Sequence, residues 1–109
     1  MNFKTVFLFD KQLKKLSKKY NLIKQDLTNF IQDFEHIHQT STPIKQNIYK
    51  VRLSNSNKNK GKSAGYRVYY YLKINTTVYL LTIYDKSELE TINENMLNEF
   101  IEEIEKTKG

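Results

Sequence analysis

Two short stretches of the chain hold side chains able to grip a polyanion and to cut it. In Tyr49-Lys50-Val51-Arg52-Leu53, the cations Lys50 and Arg52 are two residues apart, so on a strand they project from one face. In Gly65-Tyr66-Arg67-Val68-Tyr69-Tyr70-Tyr71, the same spacing puts Arg67, Tyr69 and Tyr71 on one face. A third apolar run ends in Tyr84, with Asp85 and Lys86 just beyond it. If the three runs pair in order, one sheet face gathers Lys50, Arg52, Arg67 and Tyr69 and brings Tyr84 to its end. Cations interleaved with rings suit single-stranded RNA, because ammonium and guanidinium groups hold phosphates while rings stack on bases. The same set can cut. Attack by the RNA's own 2′-hydroxyl needs that oxygen deprotonated, the phosphorane charge stabilised and the leaving 5′-oxygen protonated. Clustered cations lower the pKa of a neighbouring lysine and stabilise charge developing on the phosphate, and no metal is required.

Other catalytic devices are missing. The chain has no Cys, which excludes disulfides and thiolate catalysis and disfavours structural zinc. It carries neither a P-loop nor an HExxH pattern. His36 and His38 are two apart near the end of a helical stretch, so they point to different faces and make a poor metal pair. A simpler reading of the cations and rings stays open: Tyr and Val satisfy strand propensity, and Lys and Arg keep an exposed face soluble.

Charge is sorted into blocks. Residues 1–20 hold six Lys against one Asp (+5), 21–48 carry −1, 49–86 hold eight cations against Asp85 alone (+7), and 87–109 hold seven Glu against two Lys (−5). Segregation of this kind is expected of a protein with a polyanion-facing surface, and also of a lysine-rich solvated one. At 109 residues, with 39% hydrophobic residues and no spacer, the chain reads as one domain with one core. Met1–Phe9 lacks the basic-then-apolar order of a signal peptide, and no run of about 18 apolar residues exists to cross a membrane. Absence of Cys fits a reducing cytoplasm.

The elements that would position these residues follow from periodicity. Asn2–Phe9 reads as a strand, and Asp10 as the N-cap of a helix with Leu13, Leu16 and Tyr20 on one face and Lys11, Lys14, Lys15, Lys18 and Lys19 around the rest. Asn21 would cap a second helix with Ile23, Leu27, Phe30, Ile31 and Phe34 inward. Thr40–Pro43 ends this hairpin. Ile48–Leu53, Gly65–Lys73 and Val78–Tyr84 read as strands, with a polar loop at Ser54–Ser63 and a turn at Asn75-Thr76-Thr77. A last helix fits Ile92–Lys106, with Ile92, Met96, Phe100, Ile101 and Ile104 inward. The expected class is α+β: an N-terminal strand, a basic helical hairpin, a three-stranded antiparallel meander and a C-terminal helix, with helices on one face of the sheet.

The runs Tyr49–Leu53, Gly61-Lys62-Ser63-Ala64-Gly65-Tyr66-Arg67-Val68-Tyr69-Tyr70 and Leu80-Leu81-Thr82-Ile83-Tyr84-Asp85-Lys86-Ser87-Glu88 resemble the core of RelE/HigB-type toxins, in their HigB-like branch. The resemblance implies a RelE-like fold and a cytoplasmic, metal-independent endoribonuclease. Such an enzyme cuts messenger RNA on the ribosome through a 2′,3′-cyclic phosphate, needs no cofactor and is held by a cognate antitoxin. By position, Lys50 and Arg52 match the family's paired basic residues, which would serve as general base and phosphate holder in either order. Arg67 matches the arginine that stabilises the transition state, and Lys86 falls near a further basic position. No Tyr follows Tyr84, so stacking on a base would pass to Tyr84, Tyr69 or another ring. For docking on ribosomal RNA the candidates are Lys11, Lys14, Lys15, Lys18 and Lys19, with Lys58, Lys60 and Lys62. Two other functions stay open: a ParE-like gyrase poison, whose relatives in the superfamily keep the fold but lack the basic cluster that Lys50, Arg52 and Arg67 retain, and a non-catalytic RNA- or partner-binding module.

Overall fold

A computed structural model describes residues 1–58, 64–73, 76–88 and 94–108. The chain is α+β, running β1 (Asn2–Thr5), α1 (Phe7–Lys19), α2 (Ile23–Gln32), α3 (Phe34–His38), β2 (Thr42–Lys45), β3 (Ile48–Leu53), β4 (Tyr66–Lys73), β5 (Thr77–Asp85) and α4 (Glu94–Lys108). The strands form one mixed sheet in the order β1-β5-β4-β3-β2. Strands β3, β4 and β5 are the expected antiparallel meander. Two strands flank it: β1 runs parallel to β5, and β2 is an antiparallel edge strand on β3.

Strand β2 was hidden in sequence by Pro43, read above only as a helix stop. Proline has no N–H to give a ladder, but an edge strand leaves one side unpaired and tolerates it. Asn47, in the turn to β3, sits at φ 63, a left-handed conformation that Asn accepts better than most residues.

The helices occupy both sheet faces, not one. Phe9 and Leu16 of α1, Ile23, Leu27 and Phe30 of α2 and Phe34 of α3 pack on Val51, Leu53, Tyr66, Val68, Tyr70, Val78, Leu80 and Ile83. On the opposite face, Leu97 and Ile104 of α4 pack on Ile48, Tyr69, Tyr71, Leu81 and Tyr84. The reason is the sheet itself: alternate residues of β4 and β5 are apolar on both sides, so each side needs a cover. The inward stripe of α4 runs through Leu97, Phe100, Ile101 and Ile104, while Met96 is exposed; Ile92 lies outside the described residues.

Helix starts also differ from expectation. α1 begins at Phe7 after an extended Val6, which leaves Asp10 in the first turn, where its charge complements the helix dipole, and not at the cap. α2 begins at Ile23; the Leu22 N–H donates to Asn57 Oδ1 at 3.0 Å, and Asn57 Nδ2 donates to Asn21 Oδ1 at 2.8 Å. Capping therefore comes from the loop after β3 and not from Asn21. The second helix breaks at Asp33, whose ψ of 25° departs from helical geometry; Phe34 then enters the core and Ile31 is left exposed. Among the described residues no helix is long and apolar enough to cross a membrane.

Candidate nucleic-acid interface

The face shared by β2, β3, β4 and β5 carries the candidate residues in a fixed register. Lys50 stands opposite Tyr69, and Arg52 opposite Arg67, which in turn stands opposite Tyr84. Directly opposed residues on antiparallel strands share a face with Cβ atoms about 4.5–5.5 Å apart. The ladder thus brings together Lys50, Arg52, Arg67, Tyr69 and Tyr84. The Lys50 ammonium lies 5.8 Å from the Tyr69 ring centroid, a cation–π approach. Like charges opposed across a ladder destabilise a sheet, so the Arg52–Arg67 pair is a local conflict that plain strand chemistry would avoid. Asp85 is the sole carboxylate in the five strands; it acts electrostatically on Arg67 while its oxygens accept from Lys58, Asn55 and Ser87.

Burial divides these residues into two groups. Arg52 is exposed and Lys50 half-buried. They border a cleft of about 510 Å³ together with Thr40, Thr42 and Ile44. Arg67, Tyr69 and Tyr84 are 4%, 5% and 5% exposed. Tyr69 and Tyr84 lie in the apolar cluster that α4 covers, with ring centroids 6.5 Å apart. Neither presents a ring face to solvent, so the expectation that one of them stacks on a base is not met by the free chain. The cause is α4, which the sequence placed on the same side as the other helices.

Electrostatics follow the burial. Loss of solvent and the facing Arg52 lower the pKa of Arg67, with Tyr84 and Asp85 acting in the opposite sense. Arg67 still stays charged near neutral pH, because guanidinium titrates so high; Nη1 donates to the Tyr66 carbonyl at 3.3 Å. Burial pushes the Tyr69 hydroxyl up to about 12, with Tyr84 adding to the rise. Burial likewise raises Tyr84, against the pull of Tyr69 and Arg67. Both phenols therefore keep their protons at neutral pH and are not bases. The Tyr84 hydroxyl is buried and, among the described residues, has no hydrogen bond within 3.5 Å.

The remaining candidates lie apart. Lys86 is exposed in the turn after β5, where its N–H donates to the Gly65 carbonyl at 3.1 Å; this places it at the Arg67–Tyr84 end of the ladder. Lys58 is committed to the interior. Its ammonium lies 2.6 Å from Asp85 Oδ1, which no solvent reaches, and 5.6 Å from the Tyr20 ring centroid. Its charge offsets a buried carboxylate and is not presented to a phosphate. Lys60 and Lys62 lie outside the described residues. Lys11, Lys14, Lys15, Lys18 and Lys19 are exposed on α1, which covers the sheet face opposite to the cationic ladder; Lys19 pairs with Glu88 at 3.3 Å.

Sequence reasoning missed the polar group that holds the site end of the sheet. Asp85 accepts from Lys58, from Asn55 Nδ2 at 3.1 Å, and from the Ser87 N–H and hydroxyl at 3.0 and 2.6 Å. Asp26 of α2 accepts from the Ser56 N–H at 3.0 Å and from the Ser56 hydroxyl. These bonds tie the start of the 54–58 loop to β5 and α2. Gly65 completes the anchor: a Cβ there would meet the Leu53 carbonyl oxygen at 1.9 Å, so only glycine lets β4 start this close to β3. Beyond the end of β1, Gln12 Oε1 accepts from the Ile83 N–H at 3.0 Å and from Thr82 Oγ1 at 2.9 Å, steadying the segment that carries Tyr84. A lone Gly before a Tyr-Arg strand start was the one sequence signal for any of this. His38 is half-buried; Nδ1 shares a 2.5 Å hydrogen bond with the Tyr70 hydroxyl, and the ring stacks on Phe34 at 5.4 Å. Among the described residues, no group of three or more His, Cys, Asp or Glu side chains is placed to hold a metal ion.

No family model matches the chain, and no curated protein matches it. The class defined by fold and site is thus a small α+β domain with a cationic sheet face.

Proposed function

We propose that this chain is the toxin of a type II toxin–antitoxin pair, a RelE/HigB-like endoribonuclease that cuts messenger RNA on the ribosome. The observation that carries the reading is the opposed pair Arg52–Arg67, flanked by Lys50 and Tyr84 on one sheet face. A repulsive pair in a ladder is the kind of local cost that functional sites retain, and a phosphate is a ligand that would relieve it.

The division between open and buried residues supports the following roles. Arginine does not give up its proton at ordinary pH, so of the two open basic residues Lys50 is the one assigned the role of base. It takes the proton of a 2′-hydroxyl; the 2′-oxygen then bonds to the adjacent phosphorus, and the bond to the 5′-oxygen breaks. A 2′,3′-cyclic phosphate remains on one product, and the departing 5′-oxygen takes a proton from water to become a hydroxyl, the hydroxide left being neutralised by the proton that Lys50 gives up. Arg52 holds the non-bridging oxygens. Arg67, behind it, deepens the positive potential without needing to touch the substrate in the free chain. Lys86 supplies a further cation at the ladder's end.

The test is to add the chain to translating ribosomes and map new RNA ends. Cuts bearing 2′,3′-cyclic phosphates are expected. They should fall about 10²–10⁴-fold in Lys50→Met and about 10²–10³-fold in Arg52→Ala. Intact RNA with trapped gyrase–DNA complexes would replace this reading with the ParE-like one. Intact RNA without them would leave a binding module.

A further inference from the structure

Strand β2 extends the cationic face by one strand that periodicity did not reveal, and it changes where a base can sit. Thr42 stands opposite Lys50 in the β2–β3 ladder, so the two share a face. Ile44 leans on the apolar cluster of that same face. Thr40, in the turn before β2, closes the far end. Together with Lys50 and Arg52 these residues line the cleft of about 510 Å³, a size within the roughly 300–1,000 Å³ of small-ligand sites. Where rings were expected to serve, Tyr69 and Tyr84 are buried under α4. The open part of the face therefore lies on the β2 side.

The chemistry of the lining is that of a base pocket. Ile44 offers an apolar wall. The Thr40 hydroxyl donates to the Ile37 carbonyl at 2.7 Å, so toward the cleft its oxygen can only accept. The Thr42 side chain is exposed and makes no hydrogen bond with any described residue, leaving it free to donate and accept. Lys50 and Arg52 stand at the cleft's edge, two basic side chains of the kind that contact the phosphates of a single strand.

We propose that β2 and the turn before it are the base-recognition wall of the site. A single-stranded RNA segment, held at its phosphates by Lys50 and Arg52, seats one base against Ile44 with its polar edge on Thr40 and Thr42. The proposal rests on the nuclease reading for the identity of the polyanion, but not on cutting.

An uncleavable 2′-O-methyl RNA hexanucleotide of mixed sequence, titrated into the full-length isotope-labelled chain, tests it, with hexaglutamate as a charge control. The RNA should shift the amides of Thr40, Thr42 and Ile44 as well as those of Lys50 and Arg52, whereas hexaglutamate should move only the last two. Thr42→Val keeps strand propensity at an exposed position. It should weaken the hexanucleotide about three- to tenfold, the worth of one hydrogen bond, and leave hexaglutamate binding unchanged. Shifts confined to Lys50 and Arg52, or equal RNA affinity in Thr42→Val, would overturn the proposal. So would larger cleft shifts with the peptide, which would make the cleft a seat for an acidic polypeptide. If the hexanucleotide fills the cleft while messenger RNA on ribosomes stays whole, the nuclease reading fails and the base wall stands.

Discussion

At the scale of single residues, Arg52 and Asp85 separate function from stability in opposite directions. Arg52 is exposed, faces Arg67 and has no ion pair among the described residues. Arg52→Ala should relieve repulsion and raise stability in urea denaturation by roughly 0.2–1 kcal/mol, while cutting falls. A structural arginine would show the reverse sign on stability. Asp85 is structural in this sense. Burial pushes its carboxyl up, but Lys58, both Ser87 donors and Asn55 pull it down harder, to about 2 from 3.8. A group depressed on folding contributes stability that is full above its unfolded pKa and is lost as pH falls through its folded one. The contribution is therefore complete above about pH 5 and fades toward pH 2, and it amounts to about 2 kcal/mol. Urea denaturation at pH 7 and pH 3 should show wild type losing a large part of that amount. Asp85→Asn should be weaker at pH 7 and nearly level over the same interval. Equal pH slopes in the two proteins would remove Asp85 from this role.

At the scale of elements, the site depends on how closely β4 begins beside β3. Gly65→Ala places a methyl against the Leu53 carbonyl oxygen, and backbone has little room to give. A loss of about 2–4 kcal/mol is expected, and because Arg67 follows two residues later, amide shifts should spread along the Arg52–Arg67 ladder. A variant as stable as wild type would mean that the two strands can part without cost. This closeness explains what was and was not legible in the chain. The meander β3–β4–β5 was, because its strands alternate and pair with neighbours in sequence. So was the shared face of Lys50, Arg52, Arg67, Tyr69 and Tyr84, which follows from period two once the meander is granted. Strand β2 was not, since Pro43 reads as a stop in any local window. The parallel pairing of β1 with β5 joins residues 75 apart in the chain, where local pattern has no purchase. The side taken by α4 was missed for a related reason: an amphipathic stripe says that a helix has an inner face, not which sheet face receives it. That one choice decides that Tyr69 and Tyr84 are buried while the β2 side stays open.

At the scale of the whole molecule, positive charge lies on two sides of the sheet. The ladder and its cleft are on one, and the exposed α1 lysines cover the other. On the proposed reading, a short RNA in the cleft would stay on one side of the sheet, whereas ribosomal RNA would meet both. Replacing Lys11, Lys14, Lys15 and Lys18 with Gln should therefore leave hexanucleotide affinity within about twofold, since exposed charges more than about 10 Å away are screened. Ribosome binding should weaken and lose some of its salt dependence, the slope of log affinity against log salt falling by roughly 1–3. An unchanged slope would take α1 out of ribosome docking, and an equal loss for the hexanucleotide would put the lysines at the cleft.

The nuclease reading meets its most direct test in the ends of messenger RNA recovered from translating ribosomes after addition of wild type, Lys50→Met or Arg52→Ala, each confirmed folded. Wild type is predicted to leave new 2′,3′-cyclic phosphate ends that fall at least about a hundredfold in both variants. Messenger RNA left whole by wild type, or cut equally well by Arg52→Ala, would contradict it.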